Sequence, residues 1–331
     1  MTDKSLGHRM TADWLPVWRE RLIGCLLLLV AVSLVLGLVS HLVPGDNQAI
    51  GALVRIADGI RPALLLLSAL LGLGLALAGL RWIGGICTVL ALAGLAAIAI
   101  DYRARTSPPG AETDLTVVWL NLLNENAVTT AEIEAAIRAS DADIIALSET
   151  IPAAEAITLV SDLYPHRQGC ARQTGCAIVI LSRLPFADQR NWHLPSGPNR
   201  LVRIVVDHPT AGQVPLLFAH LTKPWYQAIS DREEDIVRMA LNWSYEGRLI
   251  MMGDFNAAPW SRRIRGMEIR RGLMHPSRPT GTWPARLGPL GVPIDHAFVR
   301  GDARITTIEP WGEELGSNHR GLIVGIDLDA P

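Results

Sequence analysis

Charged residues are scarce in this chain. They make up 19% of its 331 residues, whereas hydrophobic residues make up 49%. A typical soluble domain has about 25% charged residues, so this composition argues against a protein that is soluble along its whole length. The sequence also shows no internal repeat, which argues against a solenoid or another repeat architecture.

The apolar excess is concentrated in the first hundred residues. Three nearly uncharged runs lie there, at 22–43, 63–80 and 83–100. Each run approaches the length of about 20 residues that a helix needs to cross a bilayer. A signal peptide followed by buried core helices would explain one such run but not three. We therefore predict a membrane anchor with three transmembrane helices at 22–101, preceded by a cytoplasmic segment at 1–21.

The basic residues beside these runs give a weak indication of orientation. With three crossings, one side of the membrane carries Lys4, Arg9, Arg19, Arg21 and Arg81, and the other carries Arg55, Arg61, Arg103 and Arg105. The side richer in Lys and Arg is usually cytoplasmic, which favours a cytoplasmic N-terminus. The C-terminal domain of this multi-pass cell-membrane protein would then lie outside the cytoplasm, in the periplasm if the source is a Gram-negative bacterium.

Cysteine is scarce as well, with four residues. Cys25 and Cys87 lie within predicted membrane helices, whereas Cys170 and Cys176 flank a predicted hairpin turn. A disulfide across that turn would contribute about 2 kcal/mol in the chain-entropy model, and it would persist only in an oxidising compartment. Two free thiols fit the sequence equally well.

The character of the sequence changes after residue 101. Residues 102–114 are polar and rich in Pro and Gly, which indicates a linker. From 115 to 331, short apolar runs alternate with amphipathic segments, and many strands with few helices predict one α/β domain with two packed sheets. We predict strands at 115–120, 144–147, 177–181, 201–207, 214–220, 249–252, 294–300 and 322–327, and helices at 130–139, 228–243 and 261–270.

Polar residues recur where the predicted strands end. They are Asn121, Glu149, His220, Asp254, Asn256, Asp295 and the run Ser317-Asn318-His319. Since α/β folds place their sites at strand ends, these side chains are expected to converge on one cleft. Each residue alone more often lies on a surface or in a turn, so the order and the spacing together carry the interpretation.

This ordered set resembles the endonuclease/exonuclease/phosphatase superfamily over residues 115–328. The most diagnostic segments are Gly-Asp-Phe-Asn-Ala-Ala-Pro-Trp-Ser at 253–261 and Ile-Leu-Ser-Arg-Leu-Pro at 180–185. The resemblance implies a four-layer α/β sandwich, in which two packed mixed sheets are flanked by helices. It also implies hydrolysis of phosphomonoesters or phosphodiesters with Mg²⁺ or Mn²⁺. The chain looks like the bacterial members in which a few membrane helices precede this domain.

The resemblance implies that five residues are catalytic. Asp254 matches the aspartate that orients or deprotonates the attacking water, and Asn256 matches the amide that holds the oxygens on phosphorus. His220 matches a histidine that contacts the phosphate or protonates the leaving group. His319 matches the family's catalytic histidine, and Asp295 matches the aspartate that pairs with it.

The resemblance also implies a metal site formed by Glu149, Asn121 and Asn318. Glu149 supplies the hard oxygen ligand that suits Mg²⁺. Asn318 stands where the family usually has an aspartate, and an amide carries no charge. A catalytically impaired membrane-anchored module that binds an anionic phosphate ligand is therefore the alternative to a hydrolase.

The charge of the C-terminal domain bears on its substrate. Seven of the 30 Lys and Arg and six of the 32 Asp and Glu lie at or before position 101, so the remainder has a net charge of −3. A dedicated binder of duplex nucleic acid should instead be basic. A nucleic acid, a phospholipid or a phosphorylated small molecule remains a possible substrate, the lipid bilayer is an expected partner, and no protein partner is predicted.

An arginine cluster follows the diagnostic segment at 253–261. Its members are Arg262, Arg263, Arg265, Arg270, Arg271 and Arg278. They form either a patch for an anionic substrate or the solvated face of a helix. We assign substrate binding to Arg262, Arg263 and Trp260, since these stand nearest the predicted cleft.

Overall fold

The computed structural model describes residues 6–43, 50–169, 177–243 and 247–328. The chain divides into two compact units, one of residues 1–44 and 53–101 and the other of residues 45–52 and 102–331. Cys170 and Cys176 lie outside the described residues, so the disulfide between them stays a prediction.

Four helices precede the first strand. They are α1 (Leu6–Val39), α2 (Gly51–Gly59), α3 (Arg61–Leu77) and α4 (Arg81–Arg103). Within the described residues, the segments Val17–Leu42 and Arg81–Arg103 are long and apolar enough to cross a membrane. Helices α2 and α3 meet at a bend of 73° and supply a third candidate only if the bent pair is one span. The structure thus contains two or three candidate spans, where three were predicted.

Small and polar residues bring α1 and α3 together within the first unit. A Cβ atom on Gly37 would lie 2.7 Å from the side chain of Leu65, so glycine allows the close approach of the two helices. The hydroxyl oxygens of Ser33 and Ser68 are 2.7 Å apart, and Arg61 Nε donates to the Gly37 carbonyl at 3.1 Å. Hydrogen bonds of this kind are a common means of association between apolar helices.

The described part of the second unit contains two mixed sheets. The six-stranded sheet has the spatial order β10 (Arg304–Trp311), β11 (Gly321–Asp327), β1 (Leu115–Asn121), β2 (Ile144–Ser148), β4 (Ile178–Ser182) and β3 (His166–Gln168). The five-stranded sheet has the order β5 (Phe186–Leu194), β6 (Gly197–His208), β7 (Gly212–His220), β8 (Leu249–Asp254) and β9 (Asp295–Arg300). The pairs β1–β2 and β7–β8 are parallel, and the other neighbours are antiparallel.

Helices cover the outer face of each sheet. The six-stranded sheet packs against α5 (Thr130–Ala139) and α6 (Ala156–Leu159), and the five-stranded sheet packs against α7 (Gln227–Trp243) and α8 (Arg262–Arg271). The inner faces pack together through apolar side chains that include the stacked rings of Trp119 and Phe218. The predicted α/β architecture of two mixed sheets flanked by helices is confirmed.

Candidate active site

The strand register places site residues from both sheets at one end of the sandwich. In the five-stranded sheet His220 pairs with Asp254, and Asp254 pairs with Asp295. In the six-stranded sheet Asn121 is the last residue of β1 and pairs with Ser148, the last residue of β2. Glu149 follows Ser148 directly. Parallel strands in each sheet therefore deliver these side chains to a shared edge.

Gly253 explains why β7 and β8 lie so close beside the site. Its φ is +157°, and a Cβ atom there would clash with the backbone carbonyl of Ala219. Only glycine accommodates this approach without a shift of one strand. The residues that follow these two positions are Asp254 and His220, so the close approach fixes them as neighbours.

Two site residues have backbone conformations in the left-handed region. Glu149 has φ of 52° and Asn256 has φ of 48°. Such conformations cost on the order of 1 kcal/mol for residues other than glycine and often occur at functional sites. Hydrogen bonds hold both residues. The backbone N–H of Asn124 donates to Glu149 Oε2 at 3.1 Å, and the backbone N–H of Asn256 donates to Asp254 Oδ1 at 2.9 Å.

Asn121 joins the two carboxylates of the site. Its Nδ2 donates to Glu149 Oε1 and to Asp254 Oδ2, each at 3.2 Å. The Glu149 side chain is 24% exposed, whereas that of Asp254 is buried. Carboxylate and amide oxygens form the hard donor set that Mg²⁺ and Mn²⁺ prefer, so these residues fit a divalent cation.

Asp254 lies between two imidazoles. Its Oδ2 is 3.7 Å from His220 Nε2 and 3.9 Å from His319 Nε2. Burial raises the pKa of Asp254, and the nearby Asp295 carboxylate raises it further, while His319 opposes both effects. A carboxylate whose pKa is raised is a stronger base, as a general base for water requires.

His319 is held by its own carboxylate partner. Its Nδ1 lies 2.9 Å from Asp295 Oδ2, and the other oxygen of Asp295 accepts from Trp119 Nε1 at 2.9 Å. Burial by itself lowers the pKa of His319, but the charges of Asp295 and Asp254 outweigh it and raise the pKa to about 9. The ring is therefore an imidazolium at neutral pH, with Nε2 directed toward Asp254.

Asp254, Asp295 and His319 also satisfy the spacing of a metal cluster, since their ligand atoms lie within 4.8 Å of one another. Both oxygens of Asp295, however, already accept hydrogen bonds, from His319 and from Trp119. A cationic His319 beside a second cation would also be unfavourable. This trio therefore fits a cation less well than the carboxylate and amide oxygens around Glu149 do.

His220 differs from His319 in charge and in support. Burial lowers the pKa of His220 well below its usual value, and the charges of Arg200 and His319 add to this effect. The ring is therefore neutral at pH 7. Its Nε2 is 3.6 Å from Glu149 Oε1, while its buried Nδ1 has no hydrogen-bond partner among the residues that the structure describes.

Arg200 also belongs to this site, although no sequence pattern predicted it. Its Nε donates to the His220 carbonyl at 2.9 Å. Burial lowers the pKa of Arg200, whereas the carboxylates of Glu233, Asp254 and Glu149 oppose that effect. An arginine stays charged under such conditions, so it adds a cation beside the carboxylates. The only signal in the sequence is an arginine just before the apolar residues of β6.

The remaining predicted site residues have different surroundings. The Asn318 side chain is exposed, while the neighbouring Ser317 donates to the Asn121 carbonyl at 2.6 Å and so places this loop beside Asn121. Arg262 is exposed on the first turn of α8, and Trp260 is half-buried just before it. The substrate and metal roles of these residues stay predictions.

Arg263 faces the protein rather than the solvent. Its Nη1 donates to the carbonyls of Thr222 and Phe255, each at 3.3 Å, and its guanidinium lies within 3.5 Å of Glu233 and Glu234. Its predicted contact with substrate stays a prediction, and the structure shows a contact with the backbone that follows His220.

Comparison with known proteins bears on the family and the fold. The model of the Endonuclease/Exonuclease/phosphatase family matches residues 118–319, which span most of the second unit. No match was found among curated proteins.

Solved structures share the fold at low sequence identity. An endonuclease/exonuclease/phosphatase from Beutenbergia cavernae is 19% identical with a TM-score of 0.52, over 65% of this chain and 72% of that chain. D. rerio TDP2 complexed with a single-strand DNA product is 14% identical with a TM-score of 0.52, over 64% and 98%. The human Nocturnin catalytic domain with bound sulfate is 13% identical with a TM-score of 0.50, over 66% and 96%.

Proposed function

Since the chain belongs to the endonuclease/exonuclease/phosphatase family, we propose that it hydrolyses phosphoester bonds with the help of Mg²⁺ or Mn²⁺. The observation that supports this most is the position of Asp254, whose buried carboxylate lies between a neutral His220 and a cationic His319. Attack by water requires a base, which Asp254 can supply. Departure of an alkoxide requires an acid, which His319 can supply.

Glu149 and Asn121 would hold the cation, and the loop at Asn318 would border it. A bound divalent cation would neutralise charge on the phosphoryl oxygens and lower the pKa of a bound water. The rest of the chemistry is assigned to side chains of this chain.

In the proposed step, Asp254 accepts a proton as the water oxygen forms its bond to phosphorus. The bond between phosphorus and the leaving oxygen breaks, and the His319 imidazolium donates its Nε2 proton to that oxygen. The Asn256 amide, the neutral His220 and the Arg200 guanidinium stabilise the phosphoryl oxygens as negative charge builds on them. The products are a phosphate species and an alcohol.

The nature of the substrate is open among three classes. The net charge of −3 after position 101 disfavours a dedicated duplex binder. Two exposed aromatic side chains, Trp225 and Tyr226, follow the His220 strand, and Trp260 and Arg262 follow Asn256 closely in the sequence. Such residues suit unstacked bases as well as a lipid surface, so a nucleic acid, a phospholipid and a phosphorylated small molecule all belong in the first assays.

We also propose the location of the domain. Three membrane spans at 22–101 and a linker at 102–114 would place the catalytic domain, 115–331, outside the cytoplasm. Alkaline phosphatase fused after Pro331 would be active under this topology. Fluorescence from a green fluorescent protein that matures only in the cytoplasm would refute it.

The decisive experiment is a substrate panel on the full chain in detergent, with Mg²⁺ or Mn²⁺ and with chelator. Plasmid DNA, RNA, phospholipids and phosphorylated small molecules represent the three classes. Asp254→Asn preserves the shape of the side chain but removes the base, so it should lower turnover by about 10² or more. Silence of the wild type on every substrate, together with binding of inorganic phosphate, would favour the impaired binding module.

A further inference from the structure

The segment that follows His220 is held at every backbone polar group from the His220 carbonyl to the Thr222 carbonyl. The His220 carbonyl accepts from Arg200, the Leu221 amide donates to the Asp254 carbonyl at 2.8 Å, and the Leu221 carbonyl accepts from Asn256 at 2.9 Å. The three partners, Arg200, Asp254 and Asn256, all belong to the candidate site. The geometry of this segment is therefore coupled to the geometry of the site.

The ion pair of Glu233 and Arg263 binds both backbone polar groups of Thr222, and we call this arrangement the Thr222 clamp. Its N–H donates to Glu233 Oε2 at 2.8 Å, and its carbonyl accepts from Arg263 Nη1 at 3.3 Å. The same Glu233 oxygen lies 3.5 Å from Arg263 Nη2, and the Glu233 side chain has no exposed surface. The other oxygen of Glu233 accepts from the Ser196 hydroxyl, in the turn between β5 and β6. A buried carboxylate on α7 thus joins this turn, the His220 segment and α8.

The His220 ring depends on this backbone for its position. Among the described residues its Nδ1 has no hydrogen-bond partner, whereas the Nδ1 of His319 is oriented by Asp295. A ring whose Nδ1 has no partner to orient it takes its position largely from its packing and from the backbone that carries it. Loss of a backbone anchor two residues away should therefore displace the ring by more than it displaces His319.

We propose that Glu233 is a positioning residue for phosphoester hydrolysis. Together with Arg263 it clamps the Thr222 peptide, and through that peptide it positions the His220 imidazole and the Arg200 guanidinium against the phosphoryl group. The proposal rests on the proposed function. It gives Arg263 a structural role in the same clamp.

Four variants of the full chain in detergent test this proposal. Glu233→Ala removes the clamp and should lower kcat/KM by about tenfold or more, with most of the loss in kcat, as expected for a displaced group that acts in the transition state. Glu233→Gln keeps an acceptor for the Thr222 N–H and should stay within about threefold of the wild type. Glu233→Asp keeps the charge opposite Arg263 but is too short to reach Thr222, so it should resemble Glu233→Ala.

Glu234→Ala is the matched control. Glu234 is the next residue on the helix and lies 3.3 Å from Arg263 Nε, but it is partly exposed and makes no hydrogen bond to Thr222. It should leave kcat/KM within about twofold of the wild type. Hydrogen exchange at the Thr222 amide gives a readout independent of turnover, and it should accelerate in Glu233→Ala and Glu233→Asp only.

The pattern of outcomes separates positioning from mere stability. If Glu233→Ala does not fold, the contrast between Glu233→Gln and Glu233→Asp decides the question. Equal activity of these two variants, or full activity in a variant whose Thr222 amide exchanges fast, overturns the proposal.

If the wild type hydrolyses no phosphoester, the proposed function is wrong, but the role of Glu233 can still be tested. Calorimetric titration with inorganic phosphate in the presence of Mg²⁺ would then replace turnover. Affinity for phosphate that is unchanged in Glu233→Ala and Glu233→Asp would also overturn the role of Glu233.

Discussion

The two histidines beside Asp254 reach similar positions by different means. His319 comes from the loop before β11, and Asp295 orients it through a buried hydrogen bond that Trp119 supports in turn. His220 ends β7, and its support comes from hydrogen bonds along the following backbone. One ring is charged because a carboxylate partner outweighs burial, and the other is neutral because burial acts without such a partner. Support by a side chain therefore sets protonation as well as position.

The largest effect is expected from removal of the charged ring. His319→Ala should lower kcat by about 10³ or more, because it removes both the proton donor and the positive charge at the phosphoryl group. The measurement is steady-state turnover of the full chain on whichever phosphoester is cleaved.

His193→Ala is a suitable control, since His193 is exposed on β5. It should leave kcat unchanged. Substantial activity in His319→Ala would show that the catalytic centre lies elsewhere, and it would also remove the contrast between the two rings.

The second prediction concerns the carboxylate that charges His319. Asp295→Asn should lower kcat by about 10², since the amide no longer stabilises the imidazolium. Burial lowers the pKa of His319 and the charges of Asp295 and Asp254 raise it to about 9, so loss of the Asp295 charge lowers that pKa. The acid form, and the rate with it, should persist in the wild type until the pH rises through about 9 and should be lost at lower pH in Asp295→Asn.

The pH dependence of kcat in the two proteins checks this prediction. The alkaline limb of the variant should lie at lower pH than that of the wild type, and His220, which is neutral throughout this range, should contribute no limb of its own. Identical alkaline limbs would mean that His319 does not act as the acid.

Much of this site was predictable from the sequence because its residues follow apolar strands in a fixed order. Asn121, Glu149, His220 and Asp254 stand at or directly after strand ends, where hydrophobic runs give way to polar residues. Arg200 and Glu233 were not predicted, because each acts through partners that are distant in the chain. In the sequence alone, Glu233 looks like one acidic residue among several on an amphipathic helix.

Three strands, β3, β5 and β10, were missed for a related reason, and β3 is only three residues long with no fully buried position. The outer strands β5 and β10 have many exposed positions, and buried and exposed residues alternate only weakly along them. Neither strand contains a continuous apolar run. They lie at the edges of their sheets, where a strand has only one neighbouring strand and buries only part of one face. Three membrane spans were predicted, whereas the described residues contain two or three candidates, because the second apolar run forms a helix that bends by 73° against the helix before it.

The third prediction tests the support behind Asp295. Trp119→Phe removes the Nε1 donor to Asp295 Oδ1 but keeps an aromatic ring against Phe218. Loss of such an outer partner typically costs 10- to 100-fold, and we expect about a tenfold decrease in kcat here. Steady-state kinetics at fixed metal concentration provide the measurement.

Trp192→Phe serves as the control, because Trp192 lies on β5, at the opposite edge of the five-stranded sheet from Asp295 on β9. If Trp119→Phe lowered the thermal stability of the domain but not kcat, Asp295 would orient His319 without help from the other sheet.

The smallest effect is expected at Asn318, in the loop that carries the charged histidine. Its side chain is exposed, and Ser317 beside it donates to the Asn121 carbonyl, so a carboxylate at 318 would add negative charge near the cation side of the site. Asn318→Asp should lower the metal concentration for half-maximal rate by about threefold to tenfold while kcat changes little, because hard divalent cations prefer carboxylates. Metal titrations of turnover measure it, and Gln189→Glu adds the same charge on the exposed edge strand β5 as a control. An unchanged metal requirement in Asn318→Asp would show that position 318 does not face the cation.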